Sequence, residues 1–333
     1  MTTDASAYNA SDGSASDGSG SAAAPESVRA GWEELPPALR GWAEQRLGGP
    51  VVSAVTAPGG FSVGAACRLR TRQGQRAFLK AVSTGMNPRS TDLQRREAHV
   101  TRLLEHDPAV PAVLGVYDAG DWAGLLLTEV DGRLPPQPWQ PVDLERVLAA
   151  LAALHDRHTP APAAGLPGVG AAYGDVLTGW RRLAAGPPSG LDAWSRRHLD
   201  RLAGVEAGWA GAAAGGTLLH GDLRADNLLF TADRVVFLDW PWACVGAAWF
   251  DVVAFAPSVA AQGGPAPDWL LARTPRARAA APEAITAVAV AVAGYFTDQA
   301  SRPAPAGLRN PRTFQDAQAR AARAWLRERT GWT

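Results

Sequence analysis

The sequence predicts an α+β protein of two lobes, in which a small antiparallel β lobe is followed by a larger, mainly helical lobe. Three observations predict this division. Short apolar segments separated by glycine-rich turns run from Val51 to Val130, and apolar residues recur at helical spacing from Asp143 onward. The 333-residue chain is also long enough for two cores. We therefore predict a disordered tail at 1–28, an N-terminal lobe at 29–130 and a C-terminal lobe at 131–333.

Composition argues against several classes of function. The formal net charge is zero, which gives no overall field to attract nucleic acid or a membrane surface. Cys67 and Cys244 are the only cysteines, too few for a disulfide framework, and they suit a reducing cytoplasm. The apolar run 284–296 is shorter than the roughly 20 residues of a membrane-spanning helix. We expect a cytoplasmic protein with no nucleic acid, no membrane and no evident protein partner.

The N-terminal lobe is predicted from turns and apolar segments. Residues 1–26 are mostly small or polar and bury too little apolar surface to order themselves. Apolar residues from Trp32 to Leu47 suggest a helix that ends at Gly48. Five strands are expected to form one antiparallel sheet, at 51–56, 65–71, 77–82, 110–116 and 123–130.

A glycine-rich segment joins the first two of these strands. Gly59, Gly60 and Ser62 lie within it, and glycines let backbone N–H groups approach phosphates closely. We therefore consider these residues candidates for nucleotide binding. A plain hairpin turn fits the same residues at least as well.

Lys80 is the only lysine among 32 basic residues. Its compact ammonium can reach between phosphate groups, where a planar guanidinium is too wide. An unpaired charge within the apolar strand 77–82 would be costly, so Lys80 needs a partner or a polar cleft. Glu97, in the predicted helix 91–106, is the candidate partner. The alternatives are a chance position for the lysine and a solvated helix face for Glu97.

The second lobe begins after Glu129 and Val130, where the apolar pattern ends and a proline-rich connection opens. Helical spacing then predicts segments at 143–155, 175–184, 191–209, 284–298 and 313–329. From Val259 onward there are ten arginines against five acidic residues. This excess is mild evidence against a polycationic substrate.

A polar loop between buried strands carries the chemistry. It holds Asp222 and Asn227, and the predicted hairpin 227–230/235–238 returns the chain to Asp239. Asp222 can accept a hydroxyl proton, and Asn227 and Asp239 supply the oxygen ligands that Mg²⁺ takes beside phosphate oxygens. Two other interpretations stay open: ordinary turn residues, or a zinc site made from His220 and an aspartate.

The pattern His220-x-Asp222-x₄-Asn227, followed by a strand ending at Asp239, resembles the catalytic loop and metal-binding aspartate of the kinase fold. The motif His-Gly-Asp-Leu-x-x-x-Asn resembles the aminoglycoside phosphotransferase family more closely than the protein kinases. Arg224 stands where many members have histidine. The resemblance implies a bilobal protein-kinase-like fold.

In that family the matching positions imply Asp222 as catalytic base and Asn227 and Asp239 as Mg²⁺ ligands. Lys80 would hold nucleotide phosphates and pair with Glu97. The segment at Glu129 and Val130 would contact adenine as the hinge does.

We therefore expect an enzyme that moves the γ-phosphate of ATP, or GTP, to a hydroxyl of a small molecule with Mg²⁺. An aminoglycoside-type or other antibiotic is one candidate acceptor. A metabolic kinase for an amino alcohol, sugar or nucleoside and a non-catalytic nucleotide-binding module are the alternatives. All of these require Lys80 to lie beside Asp239.

Overall fold

The computed structural model describes residues 26–27, 29–57, 64–162, 165–303, 308–309 and 311–333. Its strands are, in chain order, β1 (Glu26–Ser27), β2 (Arg29–Ala30), β3 (Val51–Thr56), β4 (Gly64–Thr71), β5 (Arg76–Ser83), β6 (Val113–Ala119), β7 (Trp122–Thr128), β8 (Thr217–Leu219), β9 (Leu228–Phe230), β10 (Val235–Phe237), β11 (Cys244–Gly246) and β12 (Leu308–Arg309). Its helices are α1 (Pro37–Leu47), α2 (Pro88–Leu103), α3 (Pro141–Arg157), α4 (Val169–Tyr173), α5 (Gly179–Ala185), α6 (Ala193–Arg197), α7 (Leu199–Glu206), α8 (Trp209–Ala212), α9 (Phe250–Ala261), α10 (Pro267–Arg273), α11 (Pro275–Arg278), α12 (Pro282–Ser301) and α13 (Pro311–Thr330), with 3₁₀ turns at Trp32–Glu34 and Ala225–Asn227.

The five predicted strands of the N-terminal lobe form one sheet and pair antiparallel in the order β3-β4-β5-β7-β6. The two-residue strand β2 adds to this sheet parallel to β4, and the sequence prediction had no such strand. Strand β2 is too short to show an alternating apolar pattern, so it could not be recognised from the sequence.

Helices cover the two faces of this sheet. Leu39 of α1 packs in one cluster with Leu79 of β5. Phe78 packs on the other face, with Ala98 of α2. Because alternate residues of a strand face opposite sides, Lys80 shares the face of Phe78 and lies on the side of α2.

The C-terminal lobe is helical around one core that includes α3, α9 and α12. Helix α12 packs along α13 and against α5. A Cβ at Gly179 would collide with the backbone of Gly294, and a Cβ at Gly294 would collide with the side chains of Trp180 and Glu206. The predicted helices at 143–155, 284–298 and 313–329 are confirmed as α3, α12 and α13. In the described part of the chain, no helix has both the length and the apolar character needed to cross a membrane.

Two predictions need correction. The helix predicted at 191–209 is three short helices, α6, α7 and α8. Glycines at 204, 208 and 211 weaken helix formation there. Within the segment predicted as a tail, β1 pairs with β12, while residues 1–25 lie outside the described residues.

Candidate active site

Lys80 joins the two lobes. Its Nζ donates to both carboxylate oxygens of Glu97, at 2.7 Å each, and to Oδ1 of Asp239 at 2.5 Å. Glu97 is only 3% exposed, so the predicted pair is confirmed and the solvated-face alternative is wrong. Burial alone would lower the pKa of Lys80, but the charges of Asp239 and Glu97 raise it above its ordinary value. The ammonium therefore stays charged.

The predicted polar loop leaves the buried strand β8, which pairs antiparallel with β11. Strands β9 and β10 form the predicted hairpin. Its return places Leu238 beside Asn227, and the Leu238 amide donates to the Asn227 carbonyl at 2.9 Å. Asp239 thus follows directly after a backbone contact with the loop that holds Asn227.

Asp251 anchors the N-terminal end of the loop. Its carboxylate accepts from the backbone amides of His220 and Gly221, at 2.9 Å each, and from Nε2 of His155 at 3.1 Å. Burial would raise the pKa of Asp251, but these hydrogen bonds and the charge of His155 hold it below its ordinary value. Helical spacing marked His155 only as buried, and its partner Asp251 lies 96 residues away in the chain.

His220 is a structural residue of the loop. Its Nδ1 accepts from the Asp222 amide at 3.2 Å, so Nε2 carries the proton and donates to the Leu238 carbonyl at 2.8 Å. Both ring nitrogens are used, which makes the zinc interpretation wrong. Within the described ranges, no group of three or more His, Cys, Asp and Glu side chains could hold a metal.

Asp222 lies beside an arginine that the family resemblance did not predict. Nη1 of Arg224 is 3.4 Å from Oδ2 of Asp222, and the same guanidinium donates to both oxygens of Asp226 at 2.9 and 2.7 Å. Burial raises the pKa of Asp222 above its ordinary value, against the opposing charge of Arg224. A carboxyl with a raised pKa beside a cleft has the property expected of a proton acceptor.

The two predicted metal ligands are held in place by their neighbours. The side-chain N–H of Asn227 donates to the Asp222 carbonyl at 2.8 Å, which leaves the side-chain oxygen as the candidate ligand atom. Asp239 adopts φ 66°, the only positive φ of a non-glycine residue in the described part of the chain. Such backbone strain is typical of functional sites. Burial would raise the pKa of Asp239, but the adjacent Lys80 ammonium lowers it overall.

The predicted nucleotide-binding positions are only partly described. Glu129 and Val130 follow the end of β7, and the Glu129 carboxylate pairs with Arg76 at 2.8 Å and Arg68 at 3.4 Å. The backbone of Glu129 and Val130 thus lies in the connection between the two lobes. Gly59, Gly60 and Ser62 lie outside the described residues.

Tyr173 of α4 is a site residue that sequence reasoning missed. Its hydroxyl donates to the Gly221 carbonyl at 2.7 Å, and Gly221 has φ 83°. The contact joins residues 48 positions apart, and no local pattern marks it. It fixes the turn that presents Asp222.

The two-lobed fold and the meeting of Lys80, Glu97 and Asp239 in its cleft define a protein of the kinase-like class. The chain belongs to the phosphotransferase enzyme family, APH, whose sequence model matches residues 57–285. It is therefore a phosphotransferase-family protein. A comparison with curated proteins finds no significant match.

Solved structures share the fold at low identity. An aminoglycoside phosphotransferase from Alicyclobacillus acidocaldarius is 14% identical, with a TM-score of 0.56 over 89% of this chain and 96% of that one. A choline/ethanolamine kinase family protein from Mesorhizobium loti is 17% identical, with a TM-score of 0.57 over 88% and 91%. An amicoumacin kinase in complex with AMP-PNP, Ca²⁺ and Ami is 13% identical, with a TM-score of 0.51 over 83% and 88%.

Proposed function

We propose that this protein transfers the γ-phosphate of ATP to a hydroxyl group of a small molecule. The observation that carries the proposal is the meeting of Lys80 and Asp239 at 2.5 Å, next to the loop of Asp222 and Asn227. A cation, two oxygen ligands and a carboxylate base are the groups that phosphoryl transfer requires.

The residues present fit a nucleotide–Mg²⁺ complex. Asn227 and Asp239 offer an amide oxygen and a carboxylate, which suit an ion that completes its coordination with phosphate oxygens and water. When bound, Mg²⁺ would neutralise negative charge on the transferred group. Lys80 is held charged and would move from Asp239 to the phosphates. The neighbour with AMP-PNP and Ca²⁺ supports ATP and a divalent ion, and GTP is the other candidate nucleotide.

Asp222 would orient the acceptor hydroxyl and accept its proton. The raised pKa of its buried carboxyl favours proton uptake, and Arg224 keeps the anion available near neutral pH. Tyr173 and Asp251 hold the backbone of His220 and Gly221, directly before this residue. Most of the rate would then come from positioning and electrostatics.

The adenine would lie at the connection after β7. Backbone groups of Glu129 and Val130 are the candidates to contact it, because the Glu129 side chain is already paired with Arg76 and Arg68. Gly59, Gly60 and Ser62 remain candidates for the phosphate-covering turn.

The test is an ADP-release screen over aminoglycosides, other antibiotics, nucleosides, sugars and amino alcohols. The Asp222→Asn variant is the control, and we expect it to bind ATP normally while losing about 100-fold or more in turnover. Transfer of labelled phosphate in a single turnover separates an enzyme from a nucleotide-binding module. Full activity of Asp222→Asn on a confirmed acceptor would overturn the assignment of the base.

A further inference from the structure

Helix α2 is attached to both lobes. Glu97 holds it to strand β5 of the N-terminal lobe through the Lys80 ammonium. The preceding residue, Arg96, extends to the other lobe, where its Nη2 donates to the Ala243 carbonyl at 2.9 Å, across 147 residues of chain. Ala243 is buried in the hydrophobic core of the C-terminal lobe, so the carbonyl that Arg96 contacts is held in place by that core. Two neighbouring residues of one helix thus contact the two lobes.

Apolar packing holds α2 in the same orientation. Val100 lies one helical turn beyond Arg96 and therefore on the same face of the helix. It is buried in the core cluster of the C-terminal lobe, to which Phe237 of β10 also belongs. Ala98 lies on the opposite face and packs with Leu125 of the N-terminal sheet. The helix is therefore fixed between the lobes, and Arg96 adds a directed polar contact on the face that meets the C-terminal lobe.

The contact point of Arg96 in the C-terminal lobe is the turn 240–243, which follows directly after Asp239. The Tyr173 hydroxyl lies 3.3 Å from the Trp242 carbonyl of this turn and donates to the Gly221 carbonyl at 2.7 Å. Gly221 directly precedes the proposed base. The turn is thus in contact with α2 on one side and, through a tyrosine, with the catalytic loop on the other.

We propose that Arg96 is a positioning residue that fixes α2 to the turn 240–243. With the helix fixed, Glu97 holds Lys80 beside Asp239, where the nucleotide phosphates are to bind. A guanidinium suits this role because it stays charged, and a charged donor makes a stronger hydrogen bond to a carbonyl than a neutral one does. The role rests on the proposed function, because the nucleotide is the ligand for which Lys80 is positioned.

The first test removes the hydrogen bond while keeping a side chain of similar length. Arg96→Met should lower kcat for ADP release about 10-fold, because Lys80 is then in place in only a fraction of the molecules. The KM for the acceptor should change by less than about 2-fold, since Arg96 does not touch the acceptor. Arg96→Lys keeps a charged donor and should recover about half or more of the wild-type kcat. A raised KM for the acceptor with an unchanged kcat would overturn the proposal.

Arg95→Met is the matched control, because it changes the neighbouring arginine of the same helix. Arg95 pairs with Asp118 of β6 at 3.0 Å, within the N-terminal lobe and at the surface. Surface ion pairs contribute little, so this variant should keep kcat within about 2-fold of the wild type. Melting temperatures show whether each variant is folded. Equal losses of kcat in Arg95→Met and Arg96→Met would show that activity depends on the stability of α2 and not on its contact with the other lobe.

A binding measurement separates this inference from the proposed function. Calorimetry gives the dissociation constant of AMP-PNP with Mg²⁺ for Arg96→Met, for Glu97→Gln and for the double variant. Because Arg96 acts through Glu97, Arg96→Met should weaken binding about 5-fold in the wild-type background but less than about 2-fold in Glu97→Gln. A role in general stability would give additive effects instead.

The outcomes of this measurement are distinct. If the two substitutions are coupled while no acceptor releases ADP, the phosphotransferase proposal fails and the positioning role of Arg96 stands. Additive effects, or unchanged AMP-PNP binding in Arg96→Met, would overturn the positioning role while leaving the proposed function in place. If the wild type binds no AMP-PNP, both proposals fail.

Discussion

Lys80 and Asp239 stand 159 residues apart in the chain, yet the ammonium of one lies 2.5 Å from the carboxylate of the other. The contact joins strand β5 of the N-terminal lobe to the segment after β10 in the C-terminal lobe. Glu97 holds the other side of the ammonium, so side chains of both lobes meet at one cation. The following predictions depend on this arrangement.

Two substitutions of Lys80 should distinguish the effect of its charge on activity from the effect of its compact shape. Lys80→Met removes the cation, and Lys80→Arg keeps it on a wider group, so both should lower kcat/KM for ATP by on the order of 100-fold. Steady-state ADP release measures this effect. Arg70→Gln, at an exposed position of β4, should leave activity unchanged. Wild-type kinetics in Lys80→Arg would show that compactness is not what the site requires.

The pH profile should report the proton acceptor. Burial raises the pKa of Asp222, so kcat/KM should fall with decreasing pH at a point above the ordinary aspartate pKa of about 3.9. Arg224 opposes this rise, so Arg224→Gln should move the acidic limb to still higher pH. Profiles of both proteins against one acceptor test this, and a shift of the limb to lower pH would contradict it.

Asp251→Asn should destabilise the catalytic loop. The carboxylate accepts three charge-assisted hydrogen bonds, so its loss should cost about 3 kcal/mol of unfolding free energy at neutral pH. Because the pKa of Asp251 is lowered by folding, its stabilisation is present above the unfolded value of about 3.9 and is lost as pH falls through the folded value. Urea denaturation should therefore show the two proteins converging in acid.

The control for this variant is Asp156→Asn. That carboxylate makes an exposed ion pair with Arg276, and its loss should cost less than about 1 kcal/mol. A comparable loss in both variants would show that Asp251 is no more important than a surface charge.

Gly221 and Gly74 form a matched pair for testing the loop. Both have a positive φ, of 83° and 87°, but a Cβ at Gly221 would collide with the Tyr173 hydroxyl and the Trp242 carbonyl, whereas one at Gly74 meets nothing within 4 Å. Gly74→Ala should cost about 1 kcal/mol and leave turnover unchanged. Gly221→Ala should lower turnover at least about 10-fold by moving Asp222. Kinetics and thermal melting of both variants test the difference.

Asn227→Ala should raise the Mg²⁺ concentration that activity needs more than it raises the ATP concentration that activity needs. It removes one proposed oxygen ligand and a hydrogen bond to the Asp222 carbonyl, so the Mg²⁺ concentration at half-maximal rate should rise about 10-fold. Titration with Mg²⁺ at saturating ATP measures this, and chelation with EDTA should abolish wild-type activity reversibly. An unchanged Mg²⁺ requirement would remove Asn227 from the metal site.

The sequence was most informative where residue type and spacing were unusual. The lone Lys80 in an apolar strand predicted a charged partner or a polar cleft, and the structure pairs it with Glu97 and Asp239. The Asp222–Asn227 spacing predicted one polar loop, and the Asn227 side chain donates to the Asp222 carbonyl. The strands of the first lobe were equally clear, because turns of glycine separate alternating apolar residues.

Contacts between distant residues were not predictable in the same way. Tyr173 meets Gly221, and His155 meets Asp251, only because helices pack in a particular order. Such contacts depend on tertiary structure, which a single sequence does not encode locally.

Lys80 is the only lysine of the chain, so the reactivity of its side-chain amine can report whether the site is occupied. Two carboxylates keep this nitrogen protonated, and a protonated amine does not acylate, so amine-reactive labels should spare Lys80 while both contacts persist. Any ligand that draws it away from Asp239 and Glu97 changes its labelling rate. Since the side chain has no counterpart elsewhere in the chain, mass spectrometry of one tryptic peptide would follow occupancy of the cleft without a coupled assay.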